Sequence, residues 1–89
     1  MIVKVTKRHI LNGERNNCYS CPISLAIGDA CDCDKVIVDE NSASFIEETD
    51  GKRIYHKLPR SAIRFIKRYD EEESVKPFKF ILSERTRCL

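Results

Sequence analysis

The segment that begins at Pro59 is the feature that most constrains the fold. Its apolar residues recur at helical spacing and cover one broad side of a helical wheel: Ala62, Ile63, Phe65, Ile66 and Tyr69. Proline suits the first turn of a helix, where its missing N–H costs nothing. The acidic run from Asp70 to Glu73 is unfavourable at a helix C-terminus, so the helix should end near it. The sequence therefore predicts an amphipathic helix from Pro59 to about Glu72.

A second helix is predicted from Pro22 to Cys31, because apolar residues again recur at helical spacing: Ile23, Ala26, Ile27 and Ala30. Strand patterns occupy residues 2–6, 36–38 and 77–83, where apolar or β-branched residues dominate or alternate with polar ones. Residues 44–48 and 52–58 flank Asp50-Gly51, a dipeptide favoured in hairpin turns. Residues 7–11 form a short helical turn that Asn12-Gly13 would end.

These elements predict an α+β fold. The chain has 89 residues, which is enough for one core. We expect two helices packed on one face of a mostly antiparallel, four- to five-stranded sheet, in the order β-α-β-β-β-α-β. The domain should span residues 1–84, with residues 85–89 as a short C-terminal tail. The longest apolar run, 80–82, is too short to cross a bilayer, so the sequence predicts a protein without membrane contact.

The most suggestive chemical pattern is Cys18-x-x-Cys21 followed by Cys31-x-Cys33. Four cysteines in two close pairs are a known zinc ligand pattern. However, a helix over residues 22–30 would separate the pairs by roughly 13 Å, at 1.5 Å of rise per residue. One tetrahedral zinc ion could bind both pairs only if the flanking loops folded back over it. The zinc interpretation is therefore the less favoured one, and no cofactor is predicted.

Two other interpretations of the cysteines remain open. Cys21 lies at a predicted helix N-terminus, where backbone N–H groups lower a thiol pKa, and Cys18 could form a disulfide with it. Such a redox pair normally follows a strand, whereas here a polar loop precedes it. The third interpretation is structural: Cys21 and Cys31 would pack as small apolar groups at the edges of a helix. The structural interpretation is favoured.

The polar side of the helix predicted from Pro59 carries the best candidate binding residues, Arg60, Arg64, Lys67 and Arg68. They could contact phosphates or an acidic protein surface, although a solvated face is the simpler alternative. The net charge of +2 is not that of a strong nucleic-acid binder. The sequence contains no phosphate-binding glycine loop, no serine elbow and no histidine in a catalytic motif, so no enzyme is predicted.

Several short motifs occur together: His9-Ile10-x-x-Gly13, Cys21-Pro22-Ile23-Ser24-Leu25-Ala26, Leu58-Pro59, Tyr69-Asp70 and Val75-x-Pro77-Phe78-x-Phe80. This combination resembles a group of small bacteriophage and prophage proteins with no known activity. The chain departs from the group's pattern at Ser24, where a small apolar residue is expected. The resemblance covers most of the chain and implies that the protein acts by binding.

The resulting functional hypothesis is a small non-enzymatic binding module, phage-derived, that acts on a host protein or nucleoprotein. Direct, low-specificity binding of nucleic acid through the basic helix face is one alternative. A zinc- or thiol-dependent function of Cys18, Cys21, Cys31 and Cys33 is another. The expected location is the cytoplasm, that of the host if a phage encodes the protein. Exposed strand edges would also permit a homodimer.

Overall fold

A computed structural model describes residues 2–31, 35–46, 51 and 53–82. The described chain contains five strands and three helices, in the order β1 (Ile2–Val5), α1 (Lys7–Asn12), α2 (Pro22–Cys31), β2 (Ile37–Val38), β3 (Ser42–Ile46), β4 (Arg53–Lys57), α3 (Arg60–Asp70) and β5 (Phe78–Ile81). The predicted α+β class and the predicted order of elements are therefore confirmed. The predictions that concern Cys33, Asp50 and residues 85–89 lie outside the described residues.

The strands form two antiparallel sheets. β1 pairs with β5, with Val3 opposite Phe80. β2, β3 and β4 form the other sheet in that order, with Ala43 opposite both Val38 and His56. The strands were expected to form one sheet of four to five strands, and they form two sheets instead.

A loop occupies the edge of β2 that does not pair with β3. The backbone N–H of Val38, in β2, points away from β3 and donates to the carbonyl oxygen of Cys18 at 2.8 Å. The free edge of β2 is therefore occupied by the loop before α2 rather than by another strand. Helix α2 contacts both β1 and β2 and so bridges the two sheets.

The first helix is stabilised by a capping box that uses a histidine. The Thr6 N–H donates to Nδ1 of His9 at 3.0 Å, and the Thr6 hydroxyl accepts from the His9 backbone N–H. Since Nδ1 accepts, the ring proton is on Nε2, which lies 2.6 Å from an Asp29 carboxylate oxygen in α2. His9 therefore both caps α1 and joins α1 to α2.

The core lies between the helices and the inner faces of the sheets. Val3, Val5 and Phe80 face inward from the first sheet, and α2 contributes Ile23 and Ile27. Helix α3 buries Ala62, Phe65 and Tyr69, three of the five apolar residues predicted for its inner side, while Ile63 and Ile66 are half-buried. The side opposite these residues is exposed. No helix in the described ranges is long and apolar enough to cross a membrane.

Candidate functional site

The exposed side of α3 carries the four predicted binding residues. Arg60, Arg64, Lys67 and Arg68 all have exposed side chains. Among the residues that the structure describes, none of these four side chains forms an ion pair with a carboxylate; the ion pair found there joins His9 and Asp29. These four cations therefore have no ion-pair partner within this part of the chain. We call these four residues the basic surface.

A cleft adjoins this surface on one side, between α3 and the extended segment 74–78 that leads into β5. Its volume is about 380 Å³. Arg64 and Arg68 line the α3 wall, and Lys76 lies on the opposite wall. The lining residues include no aspartate or glutamate within the described chain. We call this feature the basic cleft.

Aromatic rings support the basic cleft from beneath. Phe78 lines it and is half-buried, and its ring centroid is 4.9 Å from that of Phe65 in α3. Phe78 also stacks on Phe80, with a centroid separation of 5.7 Å. These contacts fix the segment before β5 against the helix. The two walls of the cleft are therefore held by core packing and not by the charged side chains themselves.

The four predicted residues do not all belong to the cleft. Arg64 and Arg68 line it, whereas Arg60 and Lys67 do not. Lys67 instead lines a hollow on the other side of α3, together with Glu40, Asp70 and Glu71. The basic surface thus divides into a pair that faces the cleft and a pair that lies outside it.

A separate acidic hollow, on the same side of α3 as the hollow that Lys67 lines, contains Cys18 and Cys21. It has a volume of about 300 Å³, and its lining includes Cys18, Cys21, Asp39, Glu40 and Asp70. Within residues 2–31, 35–46, 51 and 53–82, no group of three or more histidine, cysteine or acidic side chains is placed to hold a metal ion. Cys33 lies outside these ranges, so the four-cysteine zinc hypothesis stays a prediction.

Cys21 is buried, as the structural interpretation predicts, with only 5% of its surface exposed. It precedes α2, and its Sγ accepts the backbone N–H of Ser24 at 3.4 Å. Burial raises the pKa of the Cys21 thiol, and the hydrogen bonds from Ser24 only partly oppose that effect. The expectation of a lowered pKa was therefore wrong: the helix start does favour the thiolate, but desolvation outweighs it.

Of the other two described cysteines, Cys18 lines the same hollow as Cys21, whereas Cys31 lies at the far end of α2. Cys18 is a half-buried free thiol, and its backbone carbonyl is the group that binds β2. Cys31, at the end of α2, is half-buried, packs against the core and is disulfide-bonded. Its sulfur is thus a structural group in this form of the protein. Helix α2 separates Cys21 from Cys31, as the apolar spacing predicts.

Comparison with known proteins adds no family to this description. A scan against protein-family models, a search of curated proteins and a search of solved structures each found no significant match.

Two residues of the basic cleft, Lys76 and Phe78, were not among the predicted binding residues. Phe78 was predicted only as part of the last strand and Lys76 was assigned no role, yet both line the wall opposite α3. The available signal was the alternation Lys76-x-Phe78, which places a cation beside an aromatic ring in an extended segment. That signal becomes specific only once the segment is known to pack against Arg64 and Arg68.

Proposed function

We propose that this protein is a small, phage-derived, non-enzymatic binding module that binds a host protein or nucleoprotein through its basic surface. One observation carries the proposal: four exposed cations on one helix have no carboxylate partner among the described residues. Unpaired charge of this kind steers an oppositely charged partner and strengthens its docking. The resemblance to phage proteins supports a host component as the partner.

The placement of α3 supports the same proposal. The helix buries Ala62, Phe65 and Tyr69, so its exposed side is presented on a rigid element. Rigid presentation lowers the entropy lost when a partner binds. The basic surface can therefore contact a partner without a change in the fold.

A charge-reversal experiment tests this function. Immobilised wild-type protein and the variant R60E/R64E/K67E/R68E would be incubated with a bacterial lysate, with and without nuclease treatment. A control variant, K4E/K7E/R8E/K79E, reverses four exposed cations elsewhere and so matches the change in net charge. We expect a saturable partner that the wild type and the control retain and that the first variant loses.

The nuclease arm separates the two kinds of partner. A protein partner is retained after nuclease treatment, and a nucleoprotein partner is depleted. If both variants bound the recovered partner as well as the wild type, the basic surface would not be the binding site. Circular dichroism of each variant would check that the fold is intact.

A further inference from the structure

We propose that the basic cleft binds the backbone of single-stranded nucleic acid. This inference deepens the proposed function, on which it rests, because it names the chemistry of a nucleoprotein partner at one part of the basic surface. It also assigns a role to Lys76 and Phe78, which lie outside that surface.

The distribution of charge is the first argument. Arg64 and Arg68 are one helical turn apart, so their Cβ atoms lie about 5–6 Å from each other along one wall. Lys76 lies on the other wall, and the lining described above has no carboxylate. A phosphodiester chain in the cleft would therefore be contacted by cations from two sides. A flat basic patch would instead contact it from one side.

The size of the cleft selects a single strand. A volume of about 380 Å³ is that of a small-ligand site and accommodates a short length of one strand. A duplex is much larger, since its major groove alone is about 12 Å wide. We therefore expect a duplex to contact the rim of the cleft and a single strand to enter it.

The uncharged lining residues match the same ligand. Ser61 and Ser74 line the cleft and carry hydroxyl groups, which commonly donate to phosphate oxygens. Phe78 supplies an aromatic surface beside the cations. Grooves that bind single strands without sequence preference combine a cationic path for the backbone with aromatic rings for the bases. An acidic peptide would use the cations, but it would bring no base into contact with the part of the Phe78 ring that Phe65 and Phe80 leave exposed.

Fluorescence anisotropy with a labelled oligothymidylate, the matching duplex and a labelled polyglutamate peptide tests the proposal. We expect the single strand to bind most tightly. The logarithm of the association constant should fall linearly with the logarithm of salt concentration, and each phosphate contact with a single strand contributes about −0.7 to this slope. Three contacts, from Arg64, Arg68 and Lys76, therefore predict a slope of about −2. Lys76→Ala should make that slope less steep by about 0.7 and weaken binding at low salt.

A matched pair of variants separates the cleft from the rest of the basic surface. R64A/R68A and R60A/K67A each remove two exposed cations from α3, but only the first pair lines the cleft. We expect R64A/R68A to weaken binding of the single strand by about tenfold or more, whereas R60A/K67A should leave the salt slope unchanged. Phe78→Leu keeps an apolar residue in the core and should weaken binding without changing the slope.

Three results would overturn the proposal: equal losses in R64A/R68A and R60A/K67A, duplex binding at least as tight as that of the single strand, or binding of polyglutamate without binding of the oligonucleotide. Lys76 is exposed, so the K76A result does not depend on a change in folding. The lysate experiment tests the proposed function independently of this inference. A protein partner that charge reversal removes would support that function even if the oligonucleotide did not bind.

Discussion

The hydroxyl group of Tyr69 lies 2.8 Å from the backbone carbonyl oxygen of Gly13, and its single proton is shared with the carbonyl of Ile10 at 3.0 Å. The same residue accepts, through its own carbonyl oxygen, a hydrogen bond from Nε of Arg15 at 3.0 Å. The Arg15 guanidinium also lies over the Tyr69 ring, 5.0 Å from its centroid. The end of α3 thus holds the loop after α1 in place.

Tyr69→Phe should destabilise the protein. The variant keeps the ring but leaves two carbonyl oxygens without the hydroxyl donor, and a lost partner of this kind costs about 1–3 kcal/mol. Urea denaturation would measure the free energy of unfolding. Tyr19→Phe is the control, because Tyr19 is 65% exposed and should change that free energy little. Equal effects of the two variants would contradict the role assigned to Tyr69.

Gly13→Ala should also destabilise the protein, for a steric reason. A Cβ atom at position 13 would lie 2.6 Å from Cδ of Pro22, at the first residue of α2, and 2.8 Å from its backbone nitrogen. The loop and the helix start would have to separate, which we expect to cost about 1–3 kcal/mol. The neighbouring exposed change Asn12→Ala is the control. Thermal unfolding of both variants would show whether the loss is specific to position 13.

Stability should fall at alkaline pH. Burial is the main cause that raises the pKa of Cys21 and that of Tyr69 above their ordinary values of about 8.5 and about 10. The folded state therefore holds these two protons more tightly than the unfolded state does. The resulting stabilisation is complete below the unfolded pKa values and is lost as pH rises through the folded ones. We expect the free energy of unfolding to decline above about pH 8.5.

Single variants separate the two contributions to this decline. Cys21→Ala removes the thiol titration and Tyr69→Phe removes the phenol titration, so each should flatten the slope of unfolding free energy against pH in its own range. The slope is compared rather than the absolute stability, since both changes also alter packing. A slope that neither variant affects would mean that other groups control alkaline unfolding.

Lys79→Glu should stabilise the protein. Lys79 in β5 lies directly opposite Lys4 in β1, and both side chains are exposed on the outer face of the sheet. Like charges in this position are unfavourable, so an opposite pair should add about 0.2–1 kcal/mol. The gain should shrink in high salt, because the pair is exposed. The double variant K4E/K79E restores a like-charge pair and should lose the gain.

Periodicity was sufficient to predict α2 and α3. The apolar spacing from Ile23 to Ala30 placed α2 correctly, and Pro59 marked the start of α3 because local rules govern both. The division into two sheets could not be predicted in the same way. The edge of β2 is bound by a tertiary hydrogen bond from Val38, in a two-residue strand, to Cys18, in a loop. These two residues are far apart in sequence, so local patterns do not reveal the contact.

The candidate site was predicted only in part, for a related reason. Arg64 and Arg68 share a helix face, and helical spacing alone shows this. Lys76 joins them through the packing of Phe78 on Phe65, which is a tertiary contact. The ionisation of Cys21 also needed the structure, because a thiol at a helix start is favoured or disfavoured as a thiolate according to how deeply it is buried.

The pairing of β1 with β5 has a consequence for the order of folding during synthesis. β1 is made first among the described elements, but its partner is the last of them. The side chains of Val3 and Val5 therefore leave the ribosome long before Phe80 exists to cover them. Pairing two strands that are so far apart in sequence raises the contact order, and a high contact order slows folding. Until translation reaches β5, α2 is the element that can shield this strand, since it contacts β1 directly.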